Sequence, residues 1–253
     1  MLISIITICL NSEKEISQTI LSVINQKFDD FEYIIIDGGS TDNTLKIIDE
    51  FKTKFPIKLI SENDKGIYDA MNKGVRYSSG KFINFMNAGD TFYQNDVLNN
   101  LSKYLNGKND IIYGSTIFDY GNFQVLRKPR NLHDYWKKMP FNHQSTFTKK
   151  QLLLDNPFNT DYKLAADYDF IIKLFLSHNI FINSNLTISV FNNKGASNKH
   201  TLTAIKEYKS ILIKYNELNI YKRLYYYLLF LKPFMKKIIP KGLFKYIYNN
   251  FVR

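Results

Sequence analysis

The chain predicts an α/β fold: a mostly parallel sheet flanked by helices, with a basic, aromatic helical extension at its C-terminal end. Three observations carry this. Residues 2–9 form an unbroken apolar, β-branched run, which suits a strand buried on both faces. Similar runs recur at 31–37 (FEYIIID), 57–61 (IKLIS) and 81–86, with helix-spaced stretches and short links between them. That alternation is the pattern of parallel strands joined by crossover helices. Beyond about residue 197 the chain turns helical, basic and aromatic.

Each element has its own warrant. Within residues 13–26, Ile16, Ile20, Val23 and Ile24 recur at helical spacing, so a helix follows the first strand. GGS at 38–40 ends the second strand, and a helix is expected over 41–52 with Ser40 as its N-cap. The third strand precedes a helix over 67–77, and the fourth strand follows it. After Asp90 the alternation weakens. Residues 110–118 and 123–128 read as paired strands around DYGN. Helices are expected near 132–138, 149–155 and 167–177, and residues 179–191 have strand character.

A length of 253 residues suffices for one full core and an appendage. Hydrophobic residues at 45% and charged residues at 23% exclude global disorder. Cys9, the single cysteine, lies inside the first apolar run and reads as a buried, inert thiol in a reducing compartment. The opening MLISIITICL lacks a basic leader and a small-residue cleavage site, so it reads as the first strand of a cytoplasmic protein. No apolar run is long enough to span a bilayer. The net charge of +11 is lopsided: residues 205–253 hold 11 Lys and Arg against two acids, a net +9, leaving +2 for the first 204 residues. A uniformly basic nucleic-acid binder would look different.

In open parallel sheets, ligands bind beyond the carboxyl ends of the strands. Those ends fall at Asn11, at Asp37, at 61–64 and at 87–90, so acids and amides converge on one edge. NAGD, at 87–90, is either a plain turn or the rim of a site, since Asn, Gly and Asp favour turns for conformational reasons. With no GxGxxG after the first strand and no GxxxxGK[ST] anywhere, dinucleotide and P-loop readings lose their support. Asp37 suits a sugar or base hydroxyl and imino group, because a carboxylate accepts in two directions. Asp90 suits a divalent cation carrying diphosphate, since magnesium and manganese take oxygen ligands and need few from the protein.

IITICLNSEKEISQTILSVINQ, FEYIIIDGGSTDNT, ENDKGIYDAMNKG and GKFINFMNAGD, in this order and spacing, resemble the nucleotide-binding half of family 2 glycosyltransferases. These are inverting enzymes of the GT-A fold, and those of colanic-acid and capsular polysaccharide biosynthesis are the most similar subset. The resemblance covers about residues 2–98 and extends through YGS, FNHQSTF and ADYDF to about residue 175. It implies a catalytic domain over residues 1–200, with a nucleotide-binding half (1–98) and an acceptor half (99–200). The tail, 201–253, is not covered.

Residue by residue, the resemblance implies that Asp37 reads the nucleoside and Asn87 reaches the ribose. It assigns Mn2+ or Mg2+ and the donor diphosphate to Asp90; where the family carries two or three acids, only this one remains. Asp69 would touch the donor and Lys73 the pyrophosphate, although a solvated surface lysine explains Lys73 equally well. His143 and Gln144 stand where the family faces the acceptor or the leaving phosphate, with a structural histidine as the alternative. In ADYDF, Ala166 replaces the first acid of the family's pair, and Asp167 remains as the general base for the acceptor hydroxyl. Asp169 reads as an acid complementing the helix dipole, and Trp136 as core packing or a platform for the acceptor.

The tail sequence YKRLYYYLLFLKPFMKKIIPKGLFKYIYNNFVR mixes aromatic, aliphatic and basic residues, which suits a helix lying in the headgroup region of the inner membrane face. The alternative is a helical hairpin capping the domain. Together these features predict a cytoplasmic, membrane-peripheral enzyme moving a sugar from a UDP-linked donor to a glycan or polyprenyl-linked acceptor, with no nucleic-acid partner. Two rivals stay open: a nucleotidyltransferase on a related sheet, and a catalytically inactive nucleotide-sugar or lipid-binding partner.

Overall fold

The structure, a computed structural model, describes residues 1–192 and 201–238. The end of the expected tail, 239–253, and the expected domain boundary near residue 200 lie outside the described residues. Strands β1 (Ile3–Cys9), β2 (Phe31–Asp37), β3 (Ile57–Ser61) and β4 (Phe82–Phe85) are parallel. Five more extend the sheet: β5 (Thr91–Phe92), β6 (Ile111–Asp119), β7 (Gln124–Arg127), β8 (Thr146–Lys149) and β9 (Phe181–Asn192). The order is β3-β2-β1-β4-β8-β6-β9-β5, with β7 antiparallel to the end of β6 as the DYGN hairpin predicts.

The first strands are apolar without alternation because both faces are covered. Ile3, Ile5, Tyr33 and Ile35 face one helical layer, where α1 (Ile16–Ile24) contributes Ile16, Ile20 and Val23. The same layer receives Ile48 from α2 (Thr44–Lys52) and Leu98 and Leu101 from α4 (Val97–Ser102). Ile6, Ile8, Ile34 and Ile36 face the other layer, where α3 (Ile67–Tyr77) contributes Tyr68, Ala70, Met71 and Val75. Leu153 of α5 (Lys150–Asp155) and Phe170 of α6 (Ala166–Leu176) complete that layer.

A third cluster fastens α7 (Thr201–Lys214) and α8 (Ile220–Ile238) to α6 through Tyr168, Ile172, Ile211, Leu212 and Tyr226. Tyr168 and Tyr208 stack with ring centroids 4.1 Å apart. Both carboxylate oxygens of Asp169 accept from Lys214 Nζ at 3.0 Å, so this first-turn acid ties α6 to α7. Among the described residues no helix is long and apolar enough to cross a membrane.

Three local expectations need correction. The second helix begins at Thr44, because the Ser40 hydroxyl donates to Asp37 instead of capping, and Asp42 receives the Thr44 amide at 2.9 Å. Residues 132–138 form only a 3-10 turn, Leu132–Asp134. The amides of Asp134, Tyr135 and Lys137 reach back only three residues, to the carbonyls of Asn131, Leu132 and Asp134, and Pro140 disfavours helical geometry at Met139. The hydroxyls of Tyr168 and Tyr226 take the carbonyls of Tyr135 and Trp136 at 2.9 and 2.8 Å instead. Trp136 itself packs edge-on against Tyr221 and Tyr225 of α8.

Candidate active site

The register places Cys9 beside Asp37 and Asp37 beside Ser61, so the carboxyl ends of β1, β2 and β3 are flush. Asp37 is fully buried there. Its Oδ2 accepts from the Gly39 and Ser40 amides at 3.1 and 3.0 Å and from Ser61 Oγ at 2.8 Å, while Oδ1 accepts from the Ser40 hydroxyl. Burial pushes its pKa up, but these hydrogen bonds outweigh burial and hold it below the ordinary carboxylate range. The carboxylate thus shapes the GGS turn. Asp64 closes over Gly38, where any side chain would collide with its carboxylate. Burial first, then the neighbouring Asp37 charge, raise the Cys9 pKa, as an inert thiol requires.

Asp69 and Lys73 form a separate group on α3. Asp69 Oδ2 accepts the Lys65 amide at 3.0 Å in the first turn of that helix. Lys73 Nζ lies 3.0 Å from Glu62 Oε1 and 3.6 Å from Asp69 Oδ2, and donates to the Asn63 carbonyl at 2.8 Å. This lysine is tied down by acids of its own loop, so reaching a pyrophosphate means exchanging partners.

The other candidates converge beyond β4. Gly89 has φ +96°, a left-handed conformation that lets the chain double back between β4 and β5. Thr19 of α1 clamps this turn, accepting the Gly89 amide at 2.9 Å and donating to the Asp90 carbonyl at 2.8 Å. Asp90, 5% exposed, accepts from Gln144 Nε2 at 2.8 Å through Oδ2 and from the Asn192 amide at 2.9 Å through Oδ1. Burial dominates these two bonds and raises its pKa to about 6. Asn84 on β4 donates to the Gln144 and Thr146 carbonyls at 3.0 and 2.9 Å, which holds the His143–Ser145 turn against the strand end.

From that turn His143 bridges two elements. Its Nε2 lies 3.2 Å from Asn87 Nδ2, and its Nδ1 lies 3.4 Å from Asp167 Oδ2. An amide N–H donates to Nε2, which leaves the ring proton on Nδ1, pointing at Asp167. Asp167 opens α6, and its Oδ1 is already occupied by the Tyr68 hydroxyl at 3.1 Å and the Tyr168 amide at 2.9 Å. Oδ2 is therefore the freer oxygen. Phe85, Phe141, Phe158 and Phe170 wall an apolar pocket of about 20 Å³ beside these two side chains, room for a single water.

So Asn87, Asp90, His143, Gln144 and Asp167 form one connected group, while Asp37 at the end of β2 and Asp69 and Lys73 on α3 have partners of their own. Tyr68 and Thr19 were not singled out from the sequence. Tyr68 sits on the buried face of an amphipathic helix, where an aromatic reads as core, and Thr19 looks like any helical threonine.

The family model for Glycosyl transferase family 2 matches residues 4–165, well over half of the chain. The chain is a family 2 glycosyltransferase. A PGL/p-HBAD biosynthesis glycosyltransferase of Mycobacterium bovis (strain BCG / Pasteur 1173P2) is 33% identical over 177 residues, covering 68% of this chain and 69% of that protein. The structure of S. aureus TarS 1-349 in complex with UDP-GlcNAc matches with a TM-score of 0.72 at 19% identity, over 96% of this chain and 77% of that one. Mannosyltransferase PcManGT from Pyrobaculum calidifontis, in complex with GDP-Man and Mn2+, matches with a TM-score of 0.66 at 17% identity, over 84% and 63%. At these identities the structural likeness is one of fold, and the glycosyltransferase has the GT-A architecture.

That fold family implies a divalent cation. Among the described residues no three His, Cys, Asp or Glu side chains cluster closely enough to hold one. The glycosyltransferase instead offers one carboxylate, Asp90, together with the buried amide oxygens Asn87 Oδ1 and Gln144 Oε1, which have no hydrogen-bond partner among the described residues. An all-oxygen set with one carboxylate fits a hard cation that arrives on a diphosphate and keeps most of its ligands from there.

Proposed function

We propose that this glycosyltransferase moves one sugar, with inversion, from a UDP-linked donor to a hydroxyl of a glycan assembled on a lipid carrier at the inner face of a membrane. The observation that carries this reading is the Asn87–His143–Asp167 chain, which couples the turn proposed for the diphosphate to a carboxylate proposed as base. The names of the relatives, a glycolipid-pathway glycosyltransferase and a structure holding UDP-GlcNAc, support the donor and acceptor classes. A cation held by Asp90, Asn87 Oδ1 and Gln144 Oε1 would neutralise the leaving diphosphate.

The chemistry needs one proton acceptor. As the acceptor oxygen bonds to the anomeric carbon, the bond from that carbon to the diphosphate oxygen breaks, and its electron pair leaves with the nucleotide. The hydroxyl proton passes to Asp167 Oδ2. Attack from the face opposite the leaving group inverts the anomeric centre. Calorimetry against a panel of nucleotide sugars, with and without manganese, identifies the donor. NMR of the product should then show the anomeric configuration opposite to the donor's; retention overturns the mechanism. Turnover of a sugar-1-phosphate with a nucleoside triphosphate would instead mark a nucleotidyltransferase.

Tyr68 is a positioning residue in this scheme. Tyr68→Phe removes the 3.1 Å bond to Asp167 Oδ1 and keeps the ring that packs against Phe158. It should lower kcat by roughly tenfold, the size of one neutral-to-charged hydrogen bond, while leaving the KM for the donor unaltered. An intact kcat would remove Tyr68 from the mechanism.

A further inference from the structure

Helix α8 presents two unlike faces. Tyr226 is buried in the third cluster, with its hydroxyl on the Trp136 carbonyl at 2.8 Å, and Tyr225 and Leu229 pack alongside. The opposite face is as apolar as the inner one, yet it is open. Ile220, Leu224 and Tyr227, at helical spacing, are 84%, 57% and 60% exposed, and Tyr221 and Phe230 of the same helix are exposed as well. In the sequence the same spacing continues at Leu231, Phe234 and Ile238. Contiguous exposed apolar surface of this kind marks an interaction site.

We propose that the outer face of α8 is the docking surface for an anionic lipid bilayer, with the helix lying in the headgroup plane. This deepens the lipid-carrier reading above and rests on it for its purpose. Charge selects the occupant. Residues 205–253 carry a net +9, so a second copy seated on this face would bring two strongly positive segments together, whereas an anionic leaflet neutralises them. Arg223 is exposed beside the apolar stripe, and Lys232, Lys236 and Lys237 follow in the sequence. Aliphatic and aromatic residues bordered by bases are the composition of an interfacial helix.

The attachment of α8 gives docking a consequence for the reaction. Tyr226 holds the Trp136 carbonyl while Tyr168, next to Asp167, holds the Tyr135 carbonyl. A bilayer on α8 is thereby fixed relative to the start of α6, where a lipid-linked hydroxyl has to meet the base.

The test uses the full chain without donor or acceptor, so its failure is separate from failure of the transfer reading. Cys9 is buried, so in Leu224→Cys a maleimide reports on position 224. Labelling should be fast in buffer, slowed at least tenfold by vesicles containing phosphatidylglycerol, and unaffected by pure phosphatidylcholine vesicles. Leu224→Ser/Tyr227→Ser should lower the vesicle-bound fraction in flotation at least tenfold with no loss of donor affinity. Slow labelling in buffer overturns the proposal: dependence on protein concentration would identify a second copy, and independence would identify residues 239–253 as the cover. Equal protection by both vesicle types, or by neither, also overturns it.

Discussion

Asp167→Asn should bind the donor with at most a small loss, from a turn of the Asn87 side chain, and turn it over ~100- to 10,000-fold more slowly, the usual contribution of a positioned base. The substitution is close to isosteric, and its surroundings can absorb it. Asn Oδ1 keeps the Tyr68 hydroxyl and the Tyr168 amide. The new amide group would face the Nδ1 proton of His143, so the ring shifts that proton to Nε2. Asn87 then turns its unpartnered Oδ1 toward Nε2. The ring again has a partner at each nitrogen, while the Asn87 amide group takes the place where its oxygen had none, so the thermal midpoint should fall by a few degrees at most. What is lost is the lone pair that takes the acceptor's proton. Single-turnover measurements at saturating donor separate this step from product release. A variant with more than a tenth of the normal rate would show that Asp167 is not the base.

Asp169→Asn is the matched control, two residues along the same helix. It breaks the ion pair with Lys214, whose side chain is nearly half exposed, so it should lower stability by roughly 1 kcal/mol and leave kcat nearly unaltered. A pair of variants with these opposite signatures distinguishes chemistry at the start of α6 from the fastening of α7 onto it.

The parallel half of the fold was legible because its physics is local. A strand buried on both faces is apolar over most of its length, and β1 and β2 are, with only Ser4, Thr7 and Glu32 inside them and Asp37 at the end; the helix over 67–77 announces itself by its amphipathic spacing and ends where the structure ends it. What escaped is set by distant partners. β5 is two residues long and exists because Thr91 and Phe92 pair with Val190 and Ser189 across the sheet. α4 has only six residues and is held by Val97, Leu98 and Leu101 against the core. Ser40 looked like a cap because the sequence shows a serine before a helix, not that Asp37 competes for its hydroxyl. The site divides in the same way. The carboxylates at 90 and 167 stand out by residue type and position, whereas Tyr68 reaches Asp167 across 99 residues of chain, and no spacing rule reports that.

Asp90→Asn should trade donor binding for stability, with a pH dependence that identifies the cause. Burial raises the Asp90 pKa from 3.8 to about 6, so folding disfavours its charged form. The folded protein holds the proton more tightly than the unfolded chain. Its stability from this group is complete below about pH 4 and is lost as pH rises toward 6, a difference on the order of 3 kcal/mol. Asparagine carries no such charge. Its carbonyl keeps the Asn192 amide, and its amide can donate to Gln144 once that side chain flips to present Oε1, which has no partner in the native arrangement. Denaturant midpoints taken in EDTA should therefore coincide with those of the unaltered enzyme near pH 4 and exceed them at pH 7.5. UDP affinity in manganese should fall at least tenfold, because the one carboxylate of the oxygen set is gone. Undiminished affinity would remove the diphosphate from the Asn87–Asp90 turn. Equal midpoints at pH 7.5 would mean that Asp90 is hydrated in solution and that its charge carries no burial penalty.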